Sequence, residues 1–378
     1  MKSLLKLFWI LGISLIALSF TACSDDDDDP KSIESVLLEM KFDDDIVTVQ
    51  PIITGTDIKF IVAYDATEED LKEMVPTITV SNKATVNPAS GSKVDFSGDP
   101  VKFTVTAEDG VTKTVYTVTC QRIDKYDFEE WIVENPTASE SLQYYAPIGG
   151  WSSSNKGAAI LKGLNYTDKI CVTKVSDAHG GAGAARIETL DTKGANLIVS
   201  RVPKVTTGTI FLGSFAETLN WRNTLANTLF GIPYNKKPLK VKGYYKYIPG
   251  GIFYRCKDQT KINVAEIEEG TMDKCAINAI LYEIENDDDE YITGVDTYKF
   301  ENNEKLVAVA KLADGTAKTE YTAFQIDFKD KDGNTAYAYD PAKKYRMSII
   351  CSSSAEGDTF SGAPGSVLYV DDIEVISE

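Results

Sequence analysis

Hydrophobic and polar positions alternate along most of this chain, in short runs separated by turn residues. Ile58-Lys59-Phe60-Ile61-Val62, Val101-Lys102-Phe103-Thr104-Val105 and Val115-Tyr116-Thr117-Val118-Thr119 follow the period of two expected of half-buried strands. Asp109-Gly110, between the last two runs, is a two-residue hairpin signal. Residues 68–74 depart from the alternation and predict a single short helical turn, with Thr67 placed to cap it. Residues 33–122 are therefore expected to form a small β-sandwich. Further strands are expected over residues 197–202, 209–212, 239–247, 276–284, 324–328, 345–351 and 366–375. With no long helical pattern over 126–378, this second unit reads as a jelly roll. The fold class is all-β, a sandwich followed by a larger jelly roll.

The start of the chain breaks this pattern. Lys2 and Lys6 precede an apolar stretch over residues 7–20, so residues 1–22 read as a secretory signal peptide. The stretch is too short for a membrane span, which needs about 20 consecutive apolar residues. Thr21-Ala22-Cys23 resembles the lipobox of bacterial lipoproteins, in which that cysteine is acylated, although Phe20 stands where Leu is usual. Asp25 to Asp29 are consecutive aspartates, so residues 23–32 read as a lipidated, self-repelling tether. An acidic stretch in that place also resembles the export signal of Bacteroidetes surface lipoproteins. The resemblance implies an outer-membrane protein held in lipid through Cys23 and facing the exterior. A plain spacer on a periplasm-facing protein is the alternative.

Composition narrows the chemistry. The net charge of −18 over 378 residues argues against a nucleic-acid partner. Loss of Lys2 and Lys6 from the 39 basic side chains leaves 37 against 57 acidic ones, a net of −20. The single histidine, His179, removes multi-histidine metal centres, and without a nucleophile motif it reads as a surface or capping residue. Of the six cysteines, Cys256 and Cys275 bracket an expected hairpin and form the expected bridge, and the others are expected to pack as small apolar groups. Gly180 to Ala185 lacks the βαβ context of a dinucleotide loop and is expected to let two sheets pack closely. Asp330 to Asn334 reads as a hairpin turn rather than a calcium loop, and Asp287 to Glu290 as an exposed acidic loop.

Two resemblances add to this reading. Residues 102–122, with Pro76-Thr77-Ile78-Thr79-Val80-Ser81 and residues 84–91, resemble the cadherin-like, immunoglobulin-like sandwiches of bacterial surface proteins, which are mostly spacers. The early Phe128-Glu129-Glu130-Trp131, residues 243–250, the serine- and glycine-rich 352–366, and the terminal Leu368-Tyr369-Val370-Asp371-Asp372-Ile373-Glu374-Val375 resemble the putative carbohydrate metabolism domain family of gut Bacteroidetes. That resemblance implies an immunoglobulin-like sandwich followed by a carbohydrate-binding jelly roll. It implies a glycan or polysaccharide as partner, captured without catalysis alongside other surface glycan-uptake proteins, and no catalytic cofactor. A glycoside hydrolase using paired carboxylates and a structural or adhesive protein are the alternatives. Jelly-roll carbohydrate modules often join an acid of the last strand to one of the first through calcium, which here implies Asp371 and Glu129 as ligands of a structural ion. By alternation Asp371 shares the core-facing side of its strand with Tyr369, Ile373 and Val375.

Pyranose rings stack their C–H faces on aromatic side chains, while amides and charged groups bind the hydroxyls. In residues 239–247, Leu239, Val241, Gly243, Tyr245 and Tyr247 read as core, leaving Lys240, Lys242, Tyr244 and Lys246 on the open face. In residues 276–284, Asn278 and Tyr282 are outward if Ile277, Ala279 and Leu281 are buried. Trp221 in Asn220-Trp221-Arg222-Asn223 and Trp151 after Gly149-Gly150 lie in loop-like settings. The candidate sugar site is thus Trp151, Trp221, Tyr244, Tyr282, Lys242 and Asn278.

Overall fold

The computed structural model describes residues 30–378 except 45, 63–65, 123–124, 199, 235, 286–289 and 297–302. Cys23, the rest of residues 1–29 and Asp287–Asp289 of the acidic loop lie outside the described residues.

In the first unit the strands Val47–Thr54, Asp57–Val62, Lys113–Arg122, Val101–Thr106 and Thr85–Asn87 form one sheet in that order. Asp57–Val62 runs parallel to Lys113–Arg122, and the other pairs are antiparallel. Leu37–Lys41 pairs with Thr77–Val80 in a second, two-stranded sheet. The alternating positions Phe60, Phe103, Val105 and Val118 fill the space between, fully buried, with Phe42 and Phe96 in ring contact with Phe60. Thr67 caps the helix Glu68–Lys72 through reciprocal bonds with Asp70, as its sequence predicts. The turn at Asp109-Gly110 is longer than two residues. The Ala107 N–H donates to Thr112 O, and Asp109 accepts from the N–H groups of Val111 and Thr112.

The second unit is an antiparallel sandwich of jelly-roll type. Its six-stranded sheet runs Val172–Val175, Ala184–Glu188, Val367–Ser377, Pro238–Ile248, Lys318–Asp327, with Lys125–Tyr126 also paired to Val367–Ser377. Its eight-stranded sheet runs Ile292–Thr293, Thr228–Phe230, Thr209–Phe215, Lys344–Ser352, Ala276–Ile284, Leu306–Lys311. Trp151–Ser153 and Ile232–Tyr234 pair onto it from the side. Val241, Tyr245 and Tyr247 meet Ile277, Ala279, Leu281, Met347 and Ile349 in the common core, so the inward faces are those the alternation predicts. Residues 197–202 are not one strand: Leu197 N–H donates to Ser200 O in a turn between Ala195–Asn196 and Arg201–Val202.

The expected Cys256–Cys275 bridge is absent. Both are free, buried thiols, with Cys275 inside the sandwich core and Cys256 directed at Asp258 O. Cys171 and Cys351 are buried as expected, and Cys120 is half-buried.

Candidate functional site

The eight-stranded sheet has apolar cover on part of its outer face as well as its inner one. Along Ala276–Ile284, Ile280 and Tyr282 point outward into a second apolar cluster with Phe211, Phe230, Ile292 and Ile350. Tyr282 is fully buried there and its hydroxyl donates to Phe230 O at 2.5 Å, which corrects its assignment to an open sugar face. The cover ends before Ala276 and Asn278. These two, with Thr209, Phe211, Ile350 and Ser352 of the neighbouring strands, floor a groove with a cavity volume of about 250 Å³.

Asn278 is only 6% exposed and lines this floor, and its side chain has no hydrogen-bond partner among the described residues. Its amide is not among the sealed, unsatisfied side-chain atoms, so its polar atoms open into the groove, where water or a ligand can reach them.

The walls are of two kinds. On one side Trp221, 47% exposed, stands on a loop pinned by amides: Asn220 N–H donates to Asn227 Oδ1 at 2.7 Å, and Asn220 Oδ1 accepts from Asn223 N–H at 2.9 Å. Trp221 and Asn278 are thus the two predicted sugar-site residues that the fold brings together. On the other side residues 354–360 present Phe360, whose φ of 53° is strained for a bulky residue. The conformation is held by Asp273, which accepts from Ser354 Oγ at 2.6 Å, Ala363 N–H at 2.8 Å and Ser366 Oγ at 2.7 Å. Arg255 adds a second tie through Glu268 and Glu356. Helix Asn155–Gly163 closes the groove with Ile160 and Leu161. Asp273 and Phe360 carry no sequence signal beyond the serine- and glycine-rich 352–366. Their role depends on a contact across 81 to 93 residues.

The remaining sugar-site expectations are corrected. Trp151 is 5% exposed and packs edge-on against Tyr126, with ring centroids 5.1 Å apart. Gly149 and Gly150, both at positive φ, turn the chain into the strand Trp151–Ser153, and pairing with Thr209–Phe215 places the indole in the core. Lys242 and Tyr244 do lie on the outer face of the six-stranded sheet, but other side chains occupy them. Lys242 pairs with Glu374 at 2.9 Å, and the Tyr244 ring stacks on His179 with centroids 3.4 Å apart. Lys246 pairs with Asp177 and lies over the rings of Tyr321 and Tyr369.

The expected calcium ligands share a loop. Asp372 has a φ of 50°, and the register shifts beside it, so a bulge splits the alternation. Leu368, Val370 and Ile373 face the core, whereas Asp371 lies on the opposite side, against residues 179–180. Asp371 accepts from the N–H groups of His179 at 2.8 Å, Gly180 at 3.1 Å and Asp372 at 2.8 Å. Burial nonetheless raises its carboxyl above the usual range, against these bonds. Glu129 accepts from Ala182 N–H at 2.7 Å and Gly183 N–H at 3.1 Å. The glycines therefore close a loop over two carboxylates rather than letting sheets approach: a Cβ on Gly181 would meet Glu129 Oε1 at 1.9 Å. Amide N–H groups aimed at both carboxylates do not fit a cation. Among the described residues, no group of three or more His, Cys, Asp or Glu side chains is arranged to hold a metal ion. His179 completes the clasp, with Nδ1 2.8 Å from Asp372 Oδ2.

Residues 127–376, two thirds of the sequence, match the family described as putative carbohydrate metabolism domain. The chain belongs to this family. Residues 37–120 match the N-terminal domain of SGBP, the surface glycan-binding proteins. A structure titled as a putative glycoside hydrolase from Bacteroides thetaiotaomicron is 27% identical with a TM-score of 0.57, covering 94% of this chain and 99% of that one. A second, with the same title from Bacteroides vulgatus, is 26% identical with a TM-score of 0.54, covering 68% of this chain and 98% of that one. No curated protein matches the sequence. The family places the groove in a carbohydrate-related domain.

Proposed function

We propose that the chain is a surface lipoprotein that captures glycan without catalysis, through the groove on its eight-stranded sheet. The observation that carries this is Asn278, a nearly buried amide with no partner among the described residues, at the bottom of a groove rimmed by the exposed Trp221. An amide that the fold leaves unpaired is available to a ligand hydroxyl or carbonyl, and an indole offers the flat face a sugar ring stacks on. Cys23 supplies the lipid anchor and Asp25 to Asp29 the export signal, which sets the protein beside other glycan-uptake proteins of the outer membrane.

A glycan array with the whole protein tests the first claim. Trp221→Ala should weaken binding to captured glycans by about 1–3 kcal/mol, on the scale of stacking on an aromatic side chain. Equal binding by both proteins would refute the site. Protease shaving of intact cells tests the second: cleavage of the wild type and protection of a variant lacking Asp25 to Asp29 are expected.

A hydrolytic reading is favoured by two acids lining the same groove, Asp296 and Asp358, together with the two similar Bacteroides structures described as putative glycoside hydrolases. Asp296 already accepts from the Thr293 N–H and hydroxyl at 3.0 Å, which makes it a turn-forming acid. Release of reducing ends from a bound polysaccharide, lost in Asp358→Asn, would establish hydrolysis in place of simple capture.

A further inference from the structure

We propose that the groove reads a neutral, apolar decoration on its glycan, an ester-linked acyl or aroyl substituent, in preference to bare sugar rings. This rests on the glycan-binding reading above and goes beyond it by naming what the groove selects.

Size gives the first argument. About 250 Å³ is below the ~300–1,000 Å³ of sites that enclose drug-sized ligands, so the groove encloses about one ring-sized group and leaves the rest of a glycan outside. The chemistry of the walls gives the second. Besides aromatic faces, the groove carries the aliphatic side chains of Leu161, Leu164, Leu197 and Leu225. A pyranose has hydroxyls around its whole rim, and aliphatic walls leave them desolvated and unpaired. An acyl or aroyl ester buries carbon there and presents its carbonyl oxygen as the one strong acceptor. The groove meets that demand with two polar groups unpaired among the described residues, the Asn278 amide and the Thr207 hydroxyl, while Ser352 Oγ is engaged, 3.1 Å from Ser354 O and 3.3 Å from Thr209 Oγ1. The mouth continues the same surface, with Leu164 50% exposed, Leu197 39% and Trp221 47%.

Charge gives the third argument. Asp296 and Asp358 line the groove against a single arginine, Arg201, on a chain of net charge −18. Sulfate and uronate substituents are repelled by that balance, whereas acyl and aroyl esters are indifferent to it. The occupant that satisfies volume, wall chemistry and charge together is a neutral acyl or aroyl ester projecting from a glycan.

The test is an array of plant and mucin polysaccharides, each printed native and after mild alkaline saponification, probed with the whole protein. The expected result is stronger binding to the native, acylated member of at least one pair, by about fourfold for each methyl or methylene group buried. Leu164→Ser should reduce that ratio, because it replaces the apolar mouth with a hydroxyl while sitting at the exposed end of its helix. Equal binding to both members of every bound pair overturns the acyl reading and leaves glycan capture standing. Preference for the saponified member also overturns it. No binding to any member overturns both readings.

Discussion

Asn278→Val separates a binding residue from a structural one, because the two roles predict opposite signs for stability and affinity. The side chain lies on a central strand, paired with Ile350 on one side and Lys311 on the other, so valine suits the backbone. Removing a buried amide that has a protein partner strands that partner and costs about 1–3 kcal/mol. Asn278 has no such partner among the described residues, so its removal strands nothing, and valine gains strand propensity instead. That gain is about 0.5–1 kcal/mol. For a unit of this size that is a rise in Tm of ~1–4 °C. Affinity should move the other way, by about 1–3 kcal/mol, or roughly five- to 150-fold, as a hydrogen bond to ligand is lost. Differential scanning calorimetry and titration of a glycan that the wild type captures read the two quantities on the same preparation. A fall of several degrees would show that the amide holds the fold together. Unchanged affinity would remove the groove from the function. Stability gained and affinity lost is the expected result, since functional sites retain groups that the fold alone would discard.

Further outcomes follow from the same contacts. Trp151→Ala should cost about 3–5 kcal/mol in thermal or denaturant unfolding, because its ring is core and not platform. Gly181→Ala should destabilise by about 1–3 kcal/mol through its left-handed backbone and the clash with Glu129, and a double-mutant cycle with Glu129→Ala should recover the clash portion only. Bonds from Arg255 and Thr271 hold the Glu268 carboxyl down at about 2, below its ordinary 4.5. Its contribution is therefore complete above about pH 4.5 and is lost as pH falls toward about 2, so Glu268→Gln should lower Tm at neutral pH by an amount that vanishes across that window. Excess EDTA should leave Tm unchanged, because backbone N–H groups occupy Glu129 and Asp371; a chelator-induced drop of several degrees would restore the calcium reading.

The sequence pattern was informative where only one face of a strand needed to be judged. Val241, Tyr245 and Tyr247 follow the period of two into the core because nothing interrupts the pleat between them. Alternation carried no information about cover from elsewhere in the chain. It placed Asn278 and Tyr282 on the same outward face, correctly, but most of the lid over Tyr282 comes from Phe211 and Phe230, which are distant in sequence, with Ile292 added from ten residues on. At Asp371 the failure is local: one left-handed residue, Asp372, inserts a bulge and reverses the face that counting assigns. Trp151 looked like a loop residue because Gly149-Gly150 precedes it, yet those glycines are what turn it inward. Lys242 and Tyr244 were placed on the right face, and only their partners, Glu374 and His179, remained out of view.

The groove's position follows from how the sandwich terminates its second apolar cluster. A sheet with both faces fully covered has no site, and one with a fully open face offers a flat platform. Here cover stops between Ile280 and Asn278, a single strand repeat, so a recess forms beside a packed edge. Its two walls are fixed independently of any ligand: the Trp221 loop by the Asn220–Asn227 pair, and the Phe360 turn by Asp273 buried against two serines and a backbone amide. Walls ordered in advance lose little conformational freedom on binding, which matters for a recess with room for one ring-sized group. A shallow contact of that size gains affinity from preorganisation and from repetition of the same unit along a polymer. On this reasoning, modest affinity for a single decorated unit is sufficient for capture, and the strained backbone at Phe360 is retained because it holds one wall of the recess in place.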